Sequence, residues 1–174
     1  MHNFNVRTWS LFLGLIIFSG LQLQAQTDKS QPTPSVNLEG PRIGMTYITE
    51  GEMSRRLESE FSVNPFITQF GWQFEKQYFN LSSGVAGLIE GVVLVGGLEQ
   101  NVFLPSLSML VGIRNAKGFE FGFGPNLSLA GAGMVFAVGS SFQSGGLIFP
   151  VNLAVIPSSS GTRISLLVGF NVVK

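Results

Sequence analysis

One stretch constrains the fold of this chain more than any other: residues 118–128 read G-F-E-F-G-F-G-P-N-L-S. Each odd position from 119 to 127 carries Phe, Pro or Leu, and each even position from 120 to 128 carries Glu, Gly, Asn or Ser. Successive side chains of a strand point to opposite faces, so the stretch predicts a strand with one large apolar face and one small polar face. A helix would scatter the phenylalanines around its whole circumference, which argues against a helix.

Seven further runs have strand-like patterns, and turn-forming residues separate them: 42–49, 66–79, 85–95, 103–114, 134–142, 147–155 and 162–173. The first long connection, residues 50–64, carries Met53, Leu57 and Phe61 four residues apart, which predicts a short amphipathic helix. The other connections are short, and no crossover helix is visible. The sequence therefore predicts an all-β fold, an antiparallel up-and-down β-barrel of about eight strands with a short helix in its first long loop.

The run 85–95 is the one whose faces stay unassigned at this point. Glu90 shares its face with Leu88, Val92 and Leu94, while glycines lie opposite. Neither face is clearly polar, so the alternation does not say which one points inward.

The residues before the barrel predict export. Arg7 gives a positive start, residues 9–21 form an apolar run, and Leu23-Gln24-Ala25 fits a cleavage site, so residues 1–25 are predicted to be a cleaved signal peptide. An uncleaved anchor is the alternative, but the run is short for a span of ~20 residues. Residues 26–40 are polar and predict a flexible leader, which leaves 41–174 as the barrel domain.

The composition bears on which face of the barrel is wet. Charged residues make up 11% of the chain, against about 25% in an average soluble domain. Small inward residues suit the narrow interior of an eight-stranded barrel, and large apolar residues suit a face turned to lipid. Inward positions are thus predicted for Gly44, Gly71, Gly112, Gly122, Gly124, Gly139 and Gly169. Lipid-facing positions are predicted for Phe70, Trp72, Phe74, Phe119, Phe121 and Phe123.

Four charged residues fall on the polar faces near strand ends: Arg42, Glu75, Arg114 and Glu120. If the chain enters and leaves the barrel on one side, the alternation of strands brings all four to that side. An unpaired buried charge costs several kcal/mol, so we expect these residues to form a paired network that closes the lower end of the lumen. The alternative is a set of rim charges solvated by water.

This pattern resembles the small eight-stranded outer-membrane barrels of Gram-negative bacteria, of the OmpA-domain and OmpX type. The resemblance covers residues 41–174 and depends on strand number and alternation. It implies an outer-membrane location, outer-membrane lipid and the barrel-insertion machinery as partners, a side-chain-filled lumen, and a structural or narrow-pore role. Two features depart from that family's pattern. The chain ends Val172-Val173-Lys174 without a terminal aromatic residue, and three prolines fall inside strands, Pro105, Pro125 and Pro150.

The sequence offers little for catalysis or cofactor binding. It has no cysteine, and its one histidine is His2, inside the predicted signal peptide. A zero net charge gives no basic patch for nucleic acid. We therefore expect no enzyme activity, no catalytic residue, no cofactor and no metal site. A second functional hypothesis is a soluble exported or periplasmic barrel of the lipocalin kind, with its aromatic faces inward around a lipid or another apolar ligand.

Overall fold

The computed structural model describes residues 37–144 and 147–173, which form a closed antiparallel barrel. The strands are β1 Asn37–Ile48, β2 Phe66–Asn80, β3 Ala86–Gly96, β4 Leu104–Arg114, β5 Phe119–Ser128, β6 Gly131–Ser144, β7 Leu147–Ile156, β8 Arg163–Gly169 and β9 Val172–Val173. Helix α1, Glu52–Phe61, follows β1, and one turn of 3₁₀ helix, Leu98–Gln100, follows β3. The predicted signal peptide lies outside the described residues.

The barrel closes because β1 pairs with strands on both of its sides. Every strand from β2 to β7 pairs antiparallel with the next one, and β1 pairs with both β2 and β8. Strand β9 continues β8 after a break and pairs with the start of β1, where Leu38 lies opposite Val173. The predicted eight-stranded all-β barrel with a short helix in its first long loop is confirmed. Below, the end at which β1 begins is called the lower end, and the end that carries α1 the upper end.

Strand β1 begins four residues before the predicted start of the barrel at residue 41. Residues 37–40 pair with β2, so the predicted leader 26–40 is wrong at its end. The sequence showed no apolar face there. A single inward side chain is sufficient, however, because Leu38 is 2% exposed inside the barrel.

Two of the three prolines named above, Pro125 and Pro150, lie at local gaps in the ladders rather than at an open edge, whereas Pro105 pairs with Val95 near the start of β4. Ser108 pairs with Asn126 and Val111 with Phe123 in one common register, and the pairs between them, beside Pro125, are lost. Pro150 lies at a similar gap between the β7–β8 ladder, which begins at Val151, and an isolated bridge at Ile148. Proline has no backbone N–H to donate to the ladder, so nearby backbone pairs are lost while the register of the two strands stays the same.

Several inward glycines are required by the close approach of a neighbouring strand. A Cβ atom built on Gly44, Gly71 or Gly124 would lie 1.9 Å from a carbonyl oxygen of the next strand. At Gly122 the nearest atom would be the Leu110 side chain at 3.5 Å, an ordinary contact. The small size of some inward residues therefore reflects backbone contact as well as limited lumen volume.

Helix α1 lies against the upper end of the barrel. Met53 N donates a hydrogen bond to Ser160 O at 2.8 Å, and Met53 and Leu57 pack on a buried cluster formed by Ile48, Val63 and Ile67. Phe61, the third residue of the predicted apolar stripe, is 55% exposed. Within residues 37–144 and 147–173, no helix is long and apolar enough to cross a membrane.

Candidate functional site: the barrel lumen

The outer face of the barrel is mostly apolar. All six residues predicted to face lipid point outward and are between 42% and 53% exposed: Phe70, Trp72, Phe74, Phe119, Phe121 and Phe123. Among the outward positions of the described strands, only Glu39 and Lys76 carry charge, and both lie toward the lower end. Charged groups of the strands are otherwise inside the barrel, which is the reverse of the usual arrangement in a water-soluble protein.

Three of the four predicted network residues meet in the lower lumen. The two terminal nitrogens of Arg114 donate to the two carboxylate oxygens of Glu75, each at 2.6 Å. Arg114 Nε donates to Glu120 Oε2 at 3.0 Å, and a second Arg114 nitrogen lies 2.5 Å from the same oxygen. Both glutamates are 4% exposed. Arg114 thus joins carboxylates from two strands, β2 and β5, by the bidentate geometry that suits arginine.

Arg42, the fourth predicted member, contacts amides instead of carboxylates. Its side chain is fully buried, and it donates to Gln73 Oε1 at 3.0 Å and to Asn171 Oδ1 at 2.7 Å. Gln73 in turn donates to Glu90 Oε2 at 3.2 Å. Among the described residues, Arg42 is therefore linked to a carboxylate only through an amide, and that carboxylate, Glu90, was not one of the four residues predicted to form the network.

Glu90 was missed because β3 carries apolar residues on both faces. Its inward face holds Leu88, Glu90, Val92 and Leu94, whereas Ile89 and Val93 point outward. The available signal was the position of Glu90 in the middle of an otherwise uncharged strand, since a lone charge there must face the barrel interior.

The lower lumen is a compact ionic cluster of three carboxylates and two guanidinium groups. Oxygens of Glu75, Glu90 and Glu120 all lie within 4.8 Å of one another, a spacing that metal ligands can have. Arg114, however, already donates to both Glu75 and Glu120. The arrangement therefore favours structural ion pairing over a metal site.

The upper lumen encloses a cavity of about 780 Å³. The predicted filling of the lumen by side chains is wrong for this part of the barrel. Gln73 and Glu90 line the cavity where it meets the ionic cluster. Its middle is an apolar belt of six side chains from five strands: Val92, Leu94, Leu110, Val135, Ile156 and Leu167. Cavities of this size are typical of small-molecule sites.

Polar groups lie above and beside that belt. Asn126 donates to Ser106 Oγ at 2.8 Å and to Ser108 Oγ at 2.9 Å. Arg163, on β8, donates to Ser128 Oγ on β5 at 2.6 Å, three strands away in the sheet. Its side chain therefore reaches across the interior. No role was predicted for Arg163 from the sequence.

Comparison of the chain with protein-family models, with curated proteins and with solved structures finds no match. The class that the fold and its interior define is a closed eight-stranded antiparallel barrel with an ion-paired lower lumen and a cavity above it.

Proposed function

We propose that this chain is an integral outer-membrane β-barrel with a structural role, exported through a cleaved signal peptide and inserted by the barrel-insertion machinery. The observation that carries this proposal is the distribution of residues between the two faces. Phenylalanines point out from the barrel, and buried charges lie inside it. An apolar outer band flanking a polar interior is the arrangement that a transmembrane barrel needs.

The dimensions of the strands support the same proposal. Strands β1–β7 are 10 to 15 residues long, and a tilted spanning strand needs about 9–11. Closure leaves no unpaired sheet edge in the hydrocarbon, where an unsatisfied backbone group costs several kcal/mol.

The positions of the charges on the outer parts of the molecule are also consistent with a membrane band. Glu39 and Lys76 lie low on the outer face, where a long side chain can reach the polar interface. At the upper end, charges are concentrated on α1, where Arg56 pairs with Glu60 at 3.1 Å. The apolar band lies between these two levels.

The lower lumen argues for a structural barrel rather than an open pore. Arg42, Glu75 and Glu120 are each at most 4% exposed, and their hydrogen bonds connect several strands across the interior. We expect a cluster this tightly bonded to close the lumen to water at its level. We therefore expect the inserted barrel not to conduct ions.

A soluble exported carrier is the second candidate, because the cavity provides room for a ligand. The barrel interior differs in one respect from that of the lipocalin-like barrel considered from the sequence. The phenylalanines that were expected to surround the ligand in such a protein point away from the cavity. A soluble carrier of this kind would expose the whole apolar outer face to water, at a cost of about 25 cal/mol per Å² of apolar surface.

Fractionation separates the two candidates. An integral barrel should remain in the membrane fraction after alkaline carbonate washing, and its mobility on gels should change when the sample is boiled. A soluble carrier should be released by the wash and show one mobility. Release of a folded protein by carbonate would overturn the proposal.

A further inference from the structure

We infer that the upper lumen is a binding site for a single-chain amphiphile with a carboxylate head, of the chemical class of fatty acids. The apolar belt would hold the chain, and Arg163 would hold the head. This site depends on the interior of the barrel alone, so it stands or falls separately from the proposed membrane location.

The apolar belt selects for a hydrocarbon body. Six buried aliphatic side chains surround the middle of the cavity, and Ala137 and Ala154 pack beside them without filling the space. A ligand that displaced water from this belt would gain the free energy of burying apolar surface. The volume of about 780 Å³ accommodates one extended or folded alkyl chain, whereas the ionic cluster closes the cavity below.

Arg163 selects for an anionic head because its charge is not neutralised by the protein. Among the residues that the structure describes, no carboxylate lies within ion-pair distance of its guanidinium group. Within the part of the chain that the structure describes, its one hydrogen-bonding partner is Ser128, a neutral hydroxyl, and its Nε atom is buried without a partner. A guanidinium group with free donors matches the two oxygens of a carboxylate.

The contrast with Arg114 strengthens this reading. Both arginines extend into the lumen from strands, yet Arg114 is saturated by Glu75 and Glu120. Arg163 is half-buried, and even partial burial of a charge without a counter-charge is costly, so an unneutralised arginine beside a large cavity indicates an anion that the protein itself does not supply. The polar cluster of Asn126, Ser106 and Ser108 offers further hydrogen-bonding groups on β4 and β5, the wall that the Arg163 side chain reaches.

The test measures equilibrium binding of radiolabelled dodecanoic acid and of dodecan-1-ol to the full mature chain in lipid discs. The same assay applies without discs if the chain proves soluble. The wild type should bind one molecule of the acid saturably. Arg163→Gln should weaken binding of the acid about tenfold or more, since a charge-assisted hydrogen bond is lost, and leave the alcohol within about twofold. Arg55→Gln, an exposed change on α1 outside the cavity lining, is the matched control and should change neither.

A cavity-filling variant separates lumenal binding from partition into the disc. Ala137→Trp should abolish saturable binding of both probes while gel mobility shows that the barrel is folded. Ala154→Phe serves the same purpose if Ala137→Trp does not fold. Unchanged binding in a folded cavity-filling variant would overturn the site. An equal effect of Arg163→Gln on acid and alcohol would overturn the assignment of the head group, as would the absence of saturable binding in the wild type.

Discussion

The two faces of the same eight strands differ in how uniform they are. The outer face of the described strands is mostly large and apolar along its whole length, with charges only at Glu39 and Lys76. The inner face changes along the barrel axis, from a paired ionic cluster to an apolar belt around a cavity. A uniform face suits a uniform environment such as hydrocarbon, and a varied face suits specific contacts between individual residues. The predictions below test this difference, beginning with the largest expected effect.

A charge in the middle of the outer face should have the largest effect. Phe123 lies outward opposite Val111 and Phe136, near the middle of β5. Phe123→Arg should cost about 2–4 kcal/mol of membrane stability if that face contacts hydrocarbon, and should strongly reduce insertion into vesicles. Insertion is measured as the fraction of protein with the mobility of the folded form on unboiled gels.

Two control variants make that result specific to the face. Phe123→Leu keeps the position apolar and should insert normally. Gly122→Ser adds a hydroxyl to the preceding residue, which points inward, and should be mild because the nearest atoms, of Leu110 and Val111, lie at ordinary contact distances of 3.5–3.6 Å. If the face were exposed to water, Phe123→Arg would be a surface change worth within about 0.5 kcal/mol, and equal tolerance of all three variants would contradict our assignment.

Removal of Arg114 should be the largest change on the inner face. Arg114→Met leaves Glu75 and Glu120 buried without their partner, so we expect a loss of about 3–5 kcal/mol in the free energy of unfolding. The measurement is urea unfolding of the inserted protein. The triple variant with Glu75→Gln and Glu120→Gln removes the orphaned charges and should recover most of the loss. A loss below about 1 kcal/mol for Arg114→Met would instead match a solvated surface pair.

Two glycines distinguish the two reasons for a small inward residue, which are close approach of a neighbouring backbone and limited volume in the lumen. Gly124→Ala would place Cβ 1.9 Å from Met109 O, so it should destabilise the barrel by about 1–3 kcal/mol through overpacking. Gly122→Ala, two residues away on the same face, finds space and should be neutral or stabilise by about 0.4–1 kcal/mol through lower entropy of the unfolded chain. Effects of the same sign in urea unfolding would show that the distinction is wrong.

The smallest effect belongs to the loops, which water reaches whichever environment covers the outer face. Desolvation raises the pKa of Glu99, but the hydrogen bonds that it accepts, above all from the Thr68 hydroxyl and amide, together outweigh desolvation and lower the pKa from 4.5 to about 2. A lowered folded-state pKa stabilises the fold above about pH 4.5, and this contribution is lost as the pH falls toward 2. Glu99 is exposed, so the contribution should stay below about 1 kcal/mol.

Glu99→Gln checks the sign of that dependence. The variant should be less stable than the wild type at pH 7, and the difference should vanish near pH 2. A difference that is constant with pH would mean that the charge of Glu99 plays no part.

The sequence predicts most of the strands because period-two alternation is strong wherever one face is aromatic and the other small, as in β5 and β2. It fails on the faces of β3, where Val92 and Leu94 belong to the apolar belt, so that both faces are apolar and the alternation disappears. The same belt explains why the cavity was not foreseen. The sizes of the side chains along one strand do not indicate how much space remains inside a barrel that eight strands enclose.

The ionic cluster was only partly predictable, because the alternation gives the face on which a charged residue lies but does not give its partners. The positions of Glu75, Arg114 and Glu120 follow from alternation and strand direction, and the structure brings them together. The partners of Arg42 do not follow, because Asn171 lies 129 residues away and pairing with amides leaves no charge pattern. No role was predicted for Arg163, because an inward charge indicates a bound anion only when a structure shows that no carboxylate lies near it.

The most direct test of the central claim uses Trp72 as a reporter. The chain has two tryptophans, and the other, Trp9, lies in the predicted signal peptide, so the mature protein should carry Trp72 alone. Trp72 is 42% exposed on the outer face near the middle of β2. In vesicles whose lipids carry bromine on the acyl chains, we predict strong quenching of Trp72 fluorescence. Unchanged fluorescence from a folded barrel, equal to that in unbrominated vesicles, would contradict the claim that this face contacts lipid.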